Sequence, residues 1–181
     1  LDVDYASIDA SGLTAGGVSA TLSATVAATF TGGAGADTVT TTTAMTAAST
    51  MGAGNDTVTY GGAASTATGL VGSMAAGTGT DTIIMTDAQA ASADGTSAFN
   101  TAWTGFETLQ LSDAMAEDGL NLDGLNNVST VILAAGATTA TISNLDSGGT
   151  VQFTDTNSTG TTTIAVDGAA FSASDILNLT I

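Results

Sequence analysis

The sequence predicts an all-β protein that folds as a right-handed parallel β-solenoid, a β-roll or β-helix with irregular coils and a short inserted loop or helix. Three observations lead to this prediction. A glycine- and aspartate-rich turn motif occurs three times, and the intervals between its copies are close to the length of one coil. Large apolar residues are sparse relative to Ala, which suits a narrow core better than a wide one.

Each copy of the motif reads Gly-x-Gly-x-Asp-Thr followed by Val or Ile. The copies begin at Gly33, Gly52 and Gly77, so the intervals between them are 19 and 25 residues. A coil made of two nonapeptides takes about 18 residues. We therefore expect each interval to be one coil, with the surplus residues bulging into loops.

Each residue type in the motif has a physical role at the corner of a coil. Glycine permits a tight, partly left-handed turn and lets backbone carbonyls point inward at a cation. The Thr-(Val/Ile) pair starts a β-strand whose branched residue points into the core. Stacked coils would place Asp37, Asp56 and Asp81 about 4.8 Å apart, where their negative charges repel. A divalent cation between them would reverse the sign of that interaction.

The rest of the chain predicts further strands and one insertion. Strand-like segments lie around Ile8, Val18 and Leu22 and at 108–111, 131–133, 139–142, 151–153, 163–166 and 176–181. The Ala-rich stretch 87–103 lacks strict alternation and predicts a short helix or ordered loop. Its aromatic residues Phe99 and Trp103 are expected to pack with Phe106 as part of the core. We interpret 172–181 as the last strand rather than as a type I export signal.

The charge of the chain excludes several functions. It has 17 acidic residues and no Lys, Arg or His, whereas ordinary usage gives roughly 20 basic residues in a chain of this size. Binding of nucleic acid or of an anionic membrane surface needs cationic side chains, so neither is expected. The chain also lacks Cys, so the usual nucleophile–base pairs cannot form and we do not expect an enzyme. No apolar run approaches the length of a membrane span.

The three motifs resemble the nonapeptides of calcium-binding RTX proteins, and residues 30–39 match the full form with both leading glycines. Residues 8–14, Ile-Asp-Ala-Ser-Gly-Leu-Thr, and 105–111, Gly-Phe-Glu-Thr-Leu-Gln-Leu, are similar to β-solenoid segments of bacterial surface-layer proteins exported by type I secretion. The lack of Lys and Arg is similar as well. The chain departs from the RTX pattern because its nonapeptides are not in tandem, and Met51 and Ala76 replace the leading glycine of the second and third motifs.

This resemblance implies Ca²⁺ as the cofactor, held between coils by carboxylates and backbone carbonyls. The implied ligands are Gly33, Gly35, Asp37, Gly52, Gly54, Asp56, Gly77, Gly79 and Asp81. Oxygen-only ligands suit calcium better than zinc. We expect one domain over 1–181, with a possible subdivision near 105 into calcium-binding coils (1–105) and metal-poor coils (106–181).

The function that the resemblance implies is a calcium-dependent structural domain of a secreted bacterial surface-layer protein. Such a domain would be extracellular, would form a homo-oligomer or two-dimensional lattice at the cell surface, and would not insert directly into a membrane. Because the chain begins with Leu1 rather than Met, we expect a fragment or a processed chain.

Several alternatives remain open at this point. The domain could be a calcium-stiffened module of an RTX adhesin or of a type I secreted enzyme, and the motifs could be ordinary Gly-Asp turns without metal. Ice binding through Thr arrays such as 39–43 needs regular spacing on every coil, and the unequal intervals argue against it. Most of the remaining aspartates are interpreted as solvated turn residues or caps, with Asp123 and Asp155 as lesser candidates for further ions. They are Asp87, Asp94, Asp113, Asp118, Asp123, Asp146, Asp155, Asp167 and Asp175.

Overall fold

The chain forms three β-sheets in which every strand pair is parallel. The computed structural model describes residues 6–22, 28–42, 45–63, 72–95, 97–116, 119–126, 128–155, 158–167 and 176–181. Neighbouring strands in a sheet are not consecutive in sequence, because the chain visits another sheet before it returns. This is the all-β, parallel solenoid architecture that the sequence predicts.

One sheet of eight strands runs along the whole solenoid. Its strands are β2 (Ser19–Leu22), β4 (Thr38–Thr41), β6 (Thr57–Thr59), β8 (Thr82–Met85), β10 (Thr108–Leu111), β12 (Thr130–Leu133), β14 (Thr150–Phe153) and β16 (Asn178–Thr180). Each coil contributes one strand to this sheet. The strands predicted at 108–111, 131–133, 151–153 and 176–181 are therefore confirmed, the last within narrower bounds.

The other strands form two shorter sheets. The first contains β1 (Ser7–Asp9), β3 (Thr29–Thr31), β5 (Ser49–Thr50), β7 (Met74–Ala75) and β9 (Trp103–Thr104). The second contains β11 (Leu120–Asn121), β13 (Ala140–Leu145) and β15 (Thr162–Val166). Coils up to residue 104 therefore contribute strands to the five-stranded sheet, and coils from residue 120 onward contribute strands to the three-stranded sheet. One hydrophobic core cluster contains residues of both regions.

The core is a stack of inward residues contributed by equivalent positions of successive coils. In the long sheet, Val39, Val58 and Ile83 are paired in register and are at most 2% exposed. Leu109, Val131 and Val151 continue the same line. Alternation of inward and outward side chains along each strand produces this stack, as a half-buried strand requires.

The insertion predicted at 87–103 folds as two short helices, α1 (Asp87–Asp94) and α2 (Ser97–Ala102), followed by strand β9. Helix α1 begins with a capping box, in which the Thr86 side chain accepts the Gln89 N–H and the Gln89 side chain accepts the Thr86 N–H. Among the described residues, no helix is long and apolar enough to cross a membrane. The insertion is thus helical, one of the two forms predicted for it, but Trp103 belongs to a strand.

Trp103 is the centre of the expected aromatic cluster. It is fully buried, stacks on Phe99 and Phe106 with ring centroids 6.0 and 6.2 Å away, and meets Tyr60 edge-on at 5.3 Å. Such contacts are worth about 0.5–1.5 kcal/mol beyond the burial of the rings. The cluster packs the inserted helices onto the solenoid, as predicted, with Tyr60 as an additional member.

The outward face of the long sheet carries a regular column of threonines. Thr38, Thr57, Thr82, Thr108, Thr130 and Thr150 are successive register partners. The unequal coil lengths do not interrupt this spacing, contrary to our expectation, because the surplus residues lie in the connections between strands. The neighbouring outward column is less uniform, since Thr21, Thr40 and Thr59 are followed by Ile84 and Gln110. Among the described strands, threonines therefore occupy both columns only on β4 and β6, since β2 has Ser19 in the first column.

Candidate metal site: a column of stacked carboxylates

The three motif aspartates lie one above another on successive coils. Asp37, Asp56 and Asp81 each immediately precede a strand of the long sheet, and those strands are paired in register. All three side chains are buried, with 2%, 1% and 0% of their surface exposed. The structure thus brings together the three carboxylates that the sequence singles out.

Each carboxylate accepts a hydrogen bond from the backbone of the preceding coil. Asp37 Oδ1 accepts from Val18 N–H at 2.6 Å, Asp56 Oδ1 from Asp37 N–H at 2.7 Å, and Asp81 Oδ1 from Asp56 N–H at 2.7 Å. Charge-assisted bonds of this length are stronger than neutral ones. The column therefore ties adjacent coils together at the point where each strand begins.

A fourth carboxylate, Glu107, extends the column. Its Oε2 accepts the Asp81 N–H at 2.8 Å, as an aspartate does in the earlier coils. Residues 105–111 carry part of the surface-layer resemblance, but no metal-binding role was predicted for Glu107. The available signal is the order of residue types, because Glu107-Thr108-Leu109 repeats the acid, Thr and branched or apolar residue that end each motif.

The motif glycines form two columns that let the coils stack closely. Gly77 and Gly79 have φ of +104° and +149°, and a Cβ on them would lie 1.9 and 1.8 Å from the carbonyl oxygens of Gly52 and Gly54. Gly52 and Gly54 also have positive φ, whereas Gly33 and Gly35 do not. The predicted left-handed turn is therefore present in the second and third motifs. The column of Gly35, Gly54 and Gly79 also includes Gly16, which lies outside the repeated motif because no aspartate follows it.

The donor set partly fits an oxygen-coordinated cation. Of three buried side-chain polar atoms without a hydrogen-bond partner in the described residues, two are Asp56 Oδ2 and Asp81 Oδ2. A buried, unpartnered carboxylate oxygen is costly, and a hard cation would satisfy it. In contrast, Asp37 Oδ2 accepts the Gly33 N–H at 3.2 Å. The fit is therefore best at the second and third motifs.

Other features of the column restrict how a cation could be held. The carbonyls of Gly33 and Gly52 accept hydrogen bonds from Ala53 and Thr78, so only their second lone pairs are free for a metal. Within the ranges that the structure describes, no three acidic side chains converge on one point. A cation would bind between two carboxylates and complete its shell with backbone carbonyls and water.

Electrostatics favour a bound positive charge in this column. Burial raises the pKa of Asp56 above its ordinary value, and the neighbouring charges of Asp81 and Asp37 raise it further, against the opposing hydrogen bond from the Asp37 N–H. Burial likewise raises the pKa of Asp81, with a further contribution from Glu107. Since the chain has no basic residue, only protons or bound cations can relieve this repulsion.

Two of the remaining aspartates do not behave as solvated turn residues. Asp87 is buried in the first turn of α1, and its Oδ2 accepts the Ala116 N–H at 3.1 Å, so it is an exception among these acids. Asp94 is half-buried and accepts the Asn121 N–H at 2.6 Å, while burial raises its pKa. Both acids lie on helix α1, whose packing against the solenoid the sequence pattern did not reveal. Of the other predicted turn acids, four are exposed and Asp155 is half-buried, while Asp118 and Asp175 lie outside the described residues.

The raised pKa values predict an unusual pH dependence in calcium-free buffer. The folded protein holds protons on Asp56 and Asp81 at a pH where the unfolded chain has released them, so acidification stabilises the fold and rising pH destabilises it. We expect a higher melting temperature at about pH 4.5 than at about pH 7.

General charge repulsion also falls on acidification, so this prediction needs a charge-matched control. The double variant Asp56→Asn/Asp81→Asn should lose part of the pH dependence that thermal melts record. The exposed pair Asp123→Asn/Asp146→Asn removes the same charge and should retain it. An equal pH dependence in both variants would show that the column contributes nothing specific.

No protein-family model matches this chain, and neither a curated protein nor a solved structure is significantly similar to it.

Proposed function

We propose that this chain is a calcium-dependent structural domain of a secreted bacterial surface-layer protein, and that it assembles into a cell-surface lattice. The observation that carries the proposal is the column of the buried Asp37, Asp56 and Asp81, extended by the half-buried Glu107, in a chain without any basic residue. Calcium would supply the positive charge that the two unpartnered oxygens lack. The resemblance of the motifs to RTX nonapeptides favours calcium over other hard cations.

A structural role is favoured over a catalytic one. The chemistry-bearing side chains of the column are engaged in binding the backbone of adjacent coils, and the chain has no His or Cys to activate a nucleophile. At a net charge of −17, copies of the chain repel one another at neutral pH. Calcium at the surface would therefore also promote contacts between copies, as a lattice requires.

Electron microscopy of the purified protein during a calcium titration tests the lattice. We expect two-dimensional arrays above a threshold of about 0.1–1 mM calcium, the range of extracellular calcium modules. The variant Asp56→Asn should not form arrays at that threshold, whereas Asp123→Asn should. Isolated particles at every calcium concentration would contradict the lattice, and would favour a calcium-stiffened module of an adhesin or of a secreted enzyme.

A further inference from the structure

The outward face of the long sheet is an uncharged surface on a strongly acidic protein. Its strands pair without a register shift, so the outward side chains of successive strands line up in two columns. None of the outward residues in the described strands of this sheet is charged, although the chain has a net charge of −17. Carboxylates flank the face instead. At β10, Glu107 immediately precedes the strand and Asp113 lies two residues beyond its end.

Two isoleucines of this face point away from the core. Ile84 of β8 and Ile132 of β12 alternate with the buried Ile83 and Val131, so their side chains lie on the outer side of the sheet. Both are partly exposed, and neither belongs to the core cluster of the described residues or packs against it. Gln110 lies between them in the same column. The face therefore offers two apolar contact points, placed symmetrically about a neutral polar residue.

The two isoleucines lie in the interior of the sheet. Strand β8 pairs with β6 and β10, and strand β12 pairs with β10 and β14. The surface around them is therefore built by coils that have a neighbour on each side. The threonines beside them are β-branched and stiff at χ1, so their burial in a contact costs little side-chain entropy.

Charge selects the occupant of this face. The chain has no basic residue, so a second copy can approach closely only where neither surface carries carboxylates. The same face of a second copy meets this condition. The five-stranded sheet is narrower, with strands of two or three residues, and Asp9 stands in its outward column. The remaining sheet has only three described strands. The long sheet thus provides the widest uncharged surface for self-association.

We propose that a second copy of this chain docks on this face, so that the long sheets of the two copies pack face to face about a two-fold axis. The axis lies between the sheets, parallel to the strands, and passes over Gln110. It places Ile84 of each copy against Ile132 of the other, and Gln110 against its counterpart. The strands of the two sheets then run in nearly the same direction, as in aligned sheet packing.

This arrangement superposes both outward columns on both columns of the other copy. A two-fold axis perpendicular to the strands could instead bring each isoleucine against its own counterpart. The column of Thr82, Thr108 and Thr130, at the start of the strands, would then overhang the strand ends of the other copy. The axis parallel to the strands therefore buries more of the face.

The size of the contact predicts a weak dimer. The five strands from β6 to β14, spaced about 4.8 Å apart and up to about 13 Å long, give a planar area of roughly 300 Å². A standard interface buries about 800 Å² of accessible surface on each side. We therefore expect a dissociation constant in the high micromolar to millimolar range. Many weak contacts act together in a lattice, and as one such contact this inference rests on the proposed function.

Sedimentation equilibrium and concentration-dependent amide shifts in NMR spectra test the dimer, at up to millimolar protein in about 1 mM calcium and about 0.15 M NaCl. We expect a monomer–dimer equilibrium for the wild-type chain. Ile84→Glu and Ile132→Glu should each weaken it at least about 10-fold, because each variant places two carboxylates in the interface. Thr141→Glu adds the same charge on the exposed side of β13, in another sheet, and should leave the dimer unchanged. Circular dichroism verifies the fold of each variant.

A charge-swap variant tests the two-fold register. Ile84→Lys/Ile132→Glu leaves the net charge unchanged and places opposite charges against each other at both contact points. It should therefore dimerise more tightly than Ile132→Glu alone. If each isoleucine met its own counterpart, like charges would oppose each other and the double variant would not associate.

Three results would overturn the proposal. They are a wild-type monomer at all concentrations, association that Thr141→Glu weakens as much as Ile84→Glu does, and a charge-swap variant that does not associate. The lattice has separate outcomes. A dimer in solution without arrays in electron microscopy would contradict only the lattice, whereas arrays formed as readily by Ile132→Glu as by the wild type would contradict only this contact.

Discussion

Replacing Gly77 by Ala is expected to destabilise the solenoid severely. The new Cβ would lie 1.9 Å from the Gly52 carbonyl oxygen, and the residue would have to keep a φ of +104°. Left-handed strain at a non-glycine residue costs about 1–3 kcal/mol, and relief of the clash requires the third motif coil to move away from the second. We expect a total loss of at least about 4 kcal/mol in the free energy of unfolding, in the range reserved for severe mutations.

A matched glycine separates the clash from the backbone strain. Gly148 has a φ of +89°, but a Cβ on it would meet nothing within 4 Å. Gly148→Ala should therefore cost only about 1–2 kcal/mol, a few degrees of melting temperature in a chain of this length. Urea or thermal unfolding of both variants measures the difference. Equal losses would mean that close stacking of the glycine columns does not contribute to stability.

Chelation of calcium is expected to have the second large effect. Extracellular calcium modules have dissociation constants of about 0.1–1 mM, so about 10 mM calcium should add roughly 1.4–2.7 kcal/mol for each site. With one or two inter-coil sites, the melting temperature should rise by several degrees on addition of calcium and fall again with EDTA. The same concentration of magnesium should do less, because Mg²⁺ retains its water and requires an octahedral shell.

Substitutions at different positions of the column should reduce the calcium-induced rise in melting temperature to different extents. Asp56→Asn keeps an oxygen for the Asp37 N–H but removes one charge, so most of the calcium response should disappear while the fold remains. Asp37→Asn should remove a smaller part of the calcium response, because Asp37 Oδ2 already accepts a hydrogen bond from the Gly33 N–H. The exposed Asp123→Asn is the charge-matched control. If calcium and EDTA leave the wild-type melting temperature unchanged, the motif aspartates serve only to bind backbone N–H groups.

Even without bound calcium, contacts between adjacent coils would account for the repetition of the motif. Glycine columns and carboxylate-to-backbone hydrogen bonds are both contacts between adjacent coils, and either could restrict the residue types at these positions. The calcium titration distinguishes a metal site from a metal-free stack of turns held by packing and hydrogen bonds, because only a metal site responds to chelation.

The repeat predicted the architecture because it is a local signal. Gly-x-Gly-x-Asp followed by Thr and a β-branched residue specifies a turn and then a strand, whatever lies elsewhere in the chain. Intervals near one coil length then predicted that Asp37, Asp56 and Asp81 would stack, and the structure stacks them. The helical insertion and the aromatic cluster around Trp103 followed from composition in the same way.

The sequence by itself determined the parallel β-solenoid, its three turn motifs and its lack of any basic counter-charge. The tertiary structure alone decided that Glu107 joins the column, that Asp87 is buried and that the threonine column stays in register. The physical reason is that each of these depends on what the next coil places above a residue. Coil length varies in the loops, so residues brought together by stacking are separated in sequence by intervals that no local pattern fixes.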